Sequence, residues 1–214
     1  MATICPTVLA ADEKTYAAEM TDIAHFAHRI QIDLTDGVFA ASPTVKPAEA
    51  WWPAAVKADF HLMYKFPTDA AKVVLKHQPN MIIIHAEAEG DFKPLADFCH
   101  KQNVKVGVAL LPLTKPEVIS KSLDLIDHVM IFSGDLGSYG GHADLALLDK
   151  IEFLKKQKAD LEIGWDGGVN DQNVSQLIFG GVDVINVGGF IQQAANPGQA
   201  YEALQLIADE TGTT

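Results

Sequence analysis

Cysteine is scarce in this chain. Cys5 and Cys99 are its two cysteines, and they stand far apart. Neither has a partner at the spacing of a cysteine-based metal site. The count permits a single disulfide, but two reduced thiols in a cytosolic protein are the expectation. Positive charge is also short: 16 basic residues face 28 acidic ones, a formal net charge of −12. A surface this acidic repels nucleic acid and anionic membrane, so neither is expected as a partner. A small anionic substrate stays open, because backbone dipoles can reverse the local sign inside a pocket. No apolar run approaches the roughly 18 residues that span a bilayer. The first residues lack a basic stretch followed by a long apolar one, so no signal peptide is expected and the location is read as cytoplasmic. Linkers, low-complexity segments and shifts of composition are absent too, and a single domain over residues 1–214 is expected.

What is present is alternation. With 48% hydrophobic and 21% charged residues, the chain can bury a sizeable core. Short β-branched runs recur at 3–10, 29–34, 60–63, 81–85, 104–110, 126–132, 161–165 and 182–187. Between most of them lie stretches with helical spacing. Residues 14–26 carry Tyr16, Met20, Ile23 and Phe26 on one face, and 145–154 carry Leu145, Leu148, Ile151 and Leu154. Residues 174–179 and 200–208 are similar. Pro67, Pro94 and Pro116 fall near helix starts, and Gly180-Gly181 closes a helix before the last strand. Eight strands alternating with helices in roughly 200–250 residues predict an α/β (β/α)8 barrel, a TIM barrel. An open doubly wound sheet is the alternative. Its G-x-G-x-x-G turn is missing: strand 1 runs into Ala10-Ala11-Asp12, where Asp12 reads as a helix N-cap.

In a barrel the active site lies at the C-terminal strand ends. Asp33, His61, His85 and Asp166 all fall there. Two carboxylates at a barrel mouth suit proton abstraction next to a carbonyl, one group acting on each face of the carbon. The enediolate so formed needs an electrophile, and a metal ion can supply several kcal/mol of that stabilisation. Asp33, His61 and Asp166 mix N and O donors, which suits Zn, Mn, Fe or Co better than Ca. Gln31 shares the strand face of Asp33, a glutamine where a stronger ligand is expected. Gly167-Gly168 and Gly188-Gly189 follow strands 7 and 8, where these barrels commonly bind phosphate. A third glycine-rich stretch, residues 135–142 with Gly140 and Gly141, is long enough for a flexible lid.

Each residue also has a plainer reading. Glycine pairs make tight turns, though three such loops at consecutive strand ends favour phosphate. Asp36-Gly37 fits a turn, and Asp36 is assigned a structural role. His61 could be a buried, hydrogen-bonded core histidine. His85 with Glu87 reads either as a pair supporting the site or as a polar rim. Lys65 is read as a solvated loop lysine, and Trp51 and Trp52 as packing or interface residues.

Over nearly its whole length the chain resembles the ribulose-phosphate 3-epimerases. The matching segments are Cys5–Asp12, Ile32–Phe39, His61-Leu62-Met63, His85–Ala88, Gly107–Pro112, Gly140-Gly141, Asp166–Asn170 and Val187-Gly188-Gly189. Singly these are weak; eight in the right order are specific. The resemblance implies a (β/α)8 barrel and metal-dependent epimerisation of a ketopentose phosphate. It implies that Asp33 and Asp166 are the acid/base pair and metal ligands, with His61 a third ligand and Gln31 in the place of the fourth, where the family has histidine. Gly141, Gly168, Gly188 and Gly189 are implied to hold the phosphate, and Thr7, Gly140 and Gly167 are taken with them as candidate substrate and phosphate contacts. Relatives assemble as dimers or hexamers, which implies a homo-oligomer acting on a small phosphorylated sugar. An amide oxygen is a weaker ligand than imidazole, so metal affinity is expected below the family's. Other departures are Thr35 for a methionine, Ala10 and Thr7 for serines, Gly189 for Ser or Thr, and a longer loop at residues 133–139. Two further functions remain in view: another lyase or isomerase on the same barrel, and a phosphosugar-binding barrel without turnover. The D-x-K-x-x-D motif of the barrel decarboxylases lacks its lysine here, where Thr35 stands.

Overall fold

A computed structural model describes residues 2–212. The strands are β1 (Thr3–Val8), β2 (Arg29–Thr35), β3 (Lys57–Met63), β4 (Met81–His85), β5 (Lys105–Leu110), β6 (His128–Phe132), β7 (Glu162–Asp166) and β8 (Val184–Val187). All pair in parallel with their sequence neighbours, and β8 closes on β1 to give one (β/α)8 barrel. The helices are α1 (Glu13–Ala24), α2 (Thr68–Leu75), α3 (Phe92–His100), α4 (Asp149–Gln157), α5 (Val174–Phe179), α6 (Gly189–Gln192) and α7 (Pro197–Thr211).

Local signals act as expected at several ends. The Asp12 carboxylate accepts from Lys14 N and Thr15 N (3.0 and 2.9 Å) and caps α1. Asp36 accepts from Val38 N, Phe39 N and Lys65 N, the structural turn role. Other places differ. Pro116 opens a 3-10 segment (Pro116–Leu125), not an α-helix, with Ile119 and Leu123 as its buried side. Residues 145–154 split into a 3-10 turn (Leu145–Leu148) and α4. No helix lies between β2 and β3; residues 36–56 form a long loop.

Side chains alternate across each strand. On β2 and β3, Ile30, Ile32, Leu34, Ala58, Phe60 and Leu62 join the main core between strands and helices. Their neighbours Gln31, Asp33, Asp59 and His61 point into the barrel and are buried there. Inside the barrel Met81, Ile83, Ala109, Met130 and Phe132 form a smaller apolar cluster. Its N-terminal end is plugged by charge. Arg29 Nε donates to Asp59 (2.6 Å), and its two Nη groups donate to Glu162 (3.0 and 2.9 Å). His128 Nδ1 meets the same Glu162 at 2.7 Å. Burial alone would raise the Glu162 carboxyl. Hydrogen bonds from His128 and Arg29 outweigh it and hold that carboxyl well below the usual range. No helix among the described residues is long and apolar enough to cross a membrane. Both cysteines are free and buried.

Candidate active site

The parallel register sets Asp33 beside His61, and the closed barrel brings β7 round to meet them. Ligand atoms of Asp33, His61 and Asp166 lie within 4.8 Å of one another at the C-terminal mouth. His61 Nδ1 is 2.8 Å from Asp33 Oδ1 and 3.9 Å from Asp166 Oδ2. Beneath them the Gln31 amide bridges both carboxylates: Nε2 donates to Asp33 Oδ1 (2.9 Å) and to Asp166 Oδ2 (2.5 Å). Its Oε1 is buried with no hydrogen-bond partner.

Burial dominates the electrostatics. It pushes Asp33 up to about 7, against hydrogen bonds from Gln31 and Thr7. Burial, then the charge of Asp33, pushes Asp166 up to about 7. Burial lowers His61 and His85 to about 4, so both rings are neutral. His85 lies behind His61, with the two Nε2 atoms 2.8 Å apart. Glu87 Oε2 stands 3.5 Å from His85 Nδ1. The Glu87 carboxylate is itself held by Leu111 N and the Thr114 hydroxyl.

A small cleft opens above the cluster. Thr7, Asp33, His61, Gly140, Asp166, Gly167, Gly168, Gly188 and Gly189 all line it. Gln31 forms the floor below, and Gly141 lies off the wall, packed against Gly134. The strap of residues 133–144 covers one side. A flexible lid is expected there from composition, but this segment is tied at several points. Ser133 Oγ donates to His142 O (3.0 Å) and accepts from Asp144 N (2.8 Å). Gly140 O accepts from Gly168 N (3.2 Å). Tyr139 Oη accepts from Leu9 N (2.7 Å) and donates to Glu19 (2.6 Å). Gly167 and Gly168 have positive φ, and a Cβ on either would collide with strap backbone, at Gly134 and at Ala143. These glycines therefore admit the strap before they do anything for a ligand.

Sequence reasoning missed Tyr139, Glu19 and Asn186. Tyr139 is the aromatic in the glycine-rich strap, a visible signal once an anchor is sought. Glu19 lies on an exposed helix face in the sequence pattern and meets the strap only in three dimensions. Lys65 is an exposed loop lysine paired with Glu89 (3.2 Å). Trp51 and Trp52 pack edge-on against Tyr16 and Phe60.

Barrels that gather titratable side chains at this mouth are enzymes, and the comparisons with known proteins place the chain in such a class. The model of the ribulose-phosphate 3-epimerase family matches residues 3–192. The chain belongs to that family of isomerases. It is 30% identical to the ribulose-phosphate 3-epimerase of Bacillus subtilis, over 89% of this chain and 92% of that one. With the Helicobacter pylori enzyme of the same name it shares 29% identity, over 95% and 97%. Among solved structures, a KGPDC from Streptococcus mutans superposes with a TM-score of 0.77 at 12% identity, covering 99% of both chains. A 3-hexulose-6-phosphate synthase does so at 0.73 and 16%, covering 96% and 99%. At such identities these two share the fold and no more.

Proposed function

We propose that the protein epimerises a ketose phosphate at the carbon next to its carbonyl, with Asp33 and Asp166 as the acid/base pair. The observation that carries this reading is the convergence of a buried and a partly buried carboxylate, Asp33 and Asp166, on the floor of one cleft, both raised toward neutrality. One, as carboxylate, takes the proton from one face of the carbon, and the electron pair moves onto the carbonyl oxygen to give an enediolate. The other, as carboxylic acid, returns a proton to the opposite face and inverts the centre. Groups poised near neutral pH suit both halves of that exchange.

The donor set fits a divalent ion. Asp33, His61 and Asp166 offer three atoms within 4.8 Å, and the Gln31 Oε1 is unpartnered and buried. Zn, Fe, Mn or Co held there would supply positive charge against the developing enediolate. Gln31 would be the fourth ligand after rotating its amide. Thr7 and the backbone at Gly140, Gly167, Gly168, Gly188 and Gly189 form the substrate shell in this reading, and Gly141, off the cleft wall, drops out of it. Because Gly168 N already donates to Gly140 O, the phosphate contacts fall first to Gly188 and Gly189. A second structure of the Streptococcus mutans KGPDC is a complex with a pentose phosphate, which supports a phosphosugar as the substrate class. A cytoplasmic location and a homo-oligomer go with this function.

A second reading, a phosphosugar-binding barrel without turnover, has one observation in its favour: the Gln31 amide already satisfies both carboxylates. A decarboxylase-type reading has Thr35 against it, since the Thr35 hydroxyl is bonded to Ser42 O and no lysine stands there. The deciding experiment is deuterium incorporation at carbon 3 of ribulose 5-phosphate, with the protein supplied in turn with each of the four metals. Exchange with inversion is expected. If no sugar phosphate in a panel exchanges, the epimerase reading is wrong.

A further inference from the structure

Strand β8 reads Val184-Ile185-Asn186-Val187, one polar residue among buried aliphatics. Ile185 and Val187 join the core between strands and helices, so Asn186 faces the barrel interior. It is 2% exposed and lines the cleft. A buried amide is costly unless its donors and its oxygen find partners. Nδ2 of Asn186 donates to Met130 Sδ at 3.4 Å, a weak thioether acceptor. Among the described residues the side chain makes no other hydrogen bond. Its neighbours in register are Asp166 on β7 and Cys5 on β1. The thiol offers little, and Asp166 Oδ2 already accepts from Gln31.

The other polar side chains of the floor are spent on one another. Asp33, His61, Asp166 and Gln31 form one cluster, and the Thr7 hydroxyl bonds to Asp33. Asn186 keeps unspent hydrogen-bonding capacity, and its place shows what would use it. On one side stands Asp166, one strand spacing of about 4.8 Å away. On the other, Gly188 follows two residues on, roughly 7 Å nearer the mouth. In the proposed reaction Asp166 moves a proton at carbon 3, and Gly188 and Gly189 meet the phosphate on carbon 5. Carbon 4 and its hydroxyl then fall between them, against Asn186.

We propose that Asn186 is a specificity-determining residue that hydrogen-bonds the hydroxyl on the carbon between the reacting centre and the phosphate-bearing carbon. This rests on the epimerase reading of the site and deepens it. A hydroxyl both donates and accepts, and so does a primary amide, so each completes the other. A substrate analogue without that hydroxyl leaves the amide buried and unpaired, which is how a site rejects a close mimic.

The test uses the full chain, supplied with Co2+, and two inert ligands: ribitol 5-phosphate and 4-deoxyribitol 5-phosphate. Neither has a carbonyl, so neither can be epimerised, and they differ only in the hydroxyl at issue. Titration calorimetry is expected to show ribitol 5-phosphate bound about tenfold more tightly. Asn186→Leu, close in shape but without the amide, should bind both ligands alike, at the weaker level. The proposal is overturned if the unaltered protein fails to prefer ribitol 5-phosphate, binding of neither included. A folded Asn186→Leu that keeps the preference overturns it too. Should Asn186→Leu not fold, Asn186→Ala decides with the same pair. Deuterium exchange separates this from the parent reading. No exchange from ribulose 5-phosphate refutes the epimerase, while the two alditol phosphates still judge Asn186 because neither reacts.

Discussion

Gln31→His perturbs the one position where the chain leaves its family's metal shell. Gln31 donates from a single nitrogen to both site carboxylates, at 2.9 and 2.5 Å. A metal ion between those carboxylates needs that space and the opposite end of the amide. Binding must therefore turn the amide over and forfeit its bonds to Asp33 and Asp166. Hydrogen bonds to charged groups contribute about 1.5–3 kcal/mol each. Forfeiting even one handicaps metal binding by roughly 10–100-fold, at about 1.4 kcal/mol per decade. An imidazole at position 31 offers a neutral nitrogen ligand with no amide to invert, so Gln31→His is expected to tighten Zn2+ or Co2+ binding by at least that factor. Chelator competition gives the affinity, and the visible spectrum of the Co2+ form reports whether a fourth protein ligand has joined. Gln31→Leu is the control: it removes the amide bridge without adding a ligand. An affinity unchanged in Gln31→His would refute the argument and place residue 31 outside the ion's reach. An equal gain in Gln31→Leu would assign the effect to loss of the bridge alone.

Other expectations follow from the same geometry. Asp166→Asn should lower epimerisation by roughly 10²–10⁴-fold, while Asp33 still washes deuterium into one face without inversion; NMR in D2O separates the two. Tyr139→Phe removes the bonds to Leu9 N and Glu19 and should loosen the strap by about 1–2 kcal/mol, read as faster amide hydrogen exchange over residues 133–144. Arg29→Met removes the guanidinium that joins Asp59 to Glu162 at the closed end of the barrel, leaving them only Asn80 and His128 as side-chain partners, and should destabilise the fold by about 3 kcal/mol, measured by urea denaturation. Glu162 is held below its unfolded value, so its contribution is present above roughly pH 4.5 and is lost as pH falls through the lower folded value. Acid unfolding of Glu162→Gln should accordingly be less steep.

The barrel was legible because its signal is local and repeated. Short β-branched runs, most of them followed by a helical stretch, have few other ways to bury their apolar faces. Asp33, His61 and Asp166 were legible for a related reason: a polar residue ending an apolar strand stands out, and the fold rule says which end matters. The Asp12 cap and the Asp36 turn bonds to Val38 and Phe39 came from short-range chemistry, while the bond from Lys65 N to Asp36 came only with the fold. The strap was harder. Glycine-rich composition predicts freedom, yet Tyr139 bonds to Leu9 and Glu19, residues about 120 to 130 positions away.

Residue identity along the chain thus settled the architecture, the end of the barrel that carries chemistry, and the groups gathered there. Tertiary structure alone decided how those groups face one another. That His85 backs His61 and that Arg29 meets Asp59 depend on the register of neighbouring strands, and that Gln31 reaches Asp166 and Arg29 reaches Glu162 depends on barrel closure bringing β7 opposite β2. Hydrogen bonds act over about 3 Å, and a sequence carries no distances between residues so far apart in the chain.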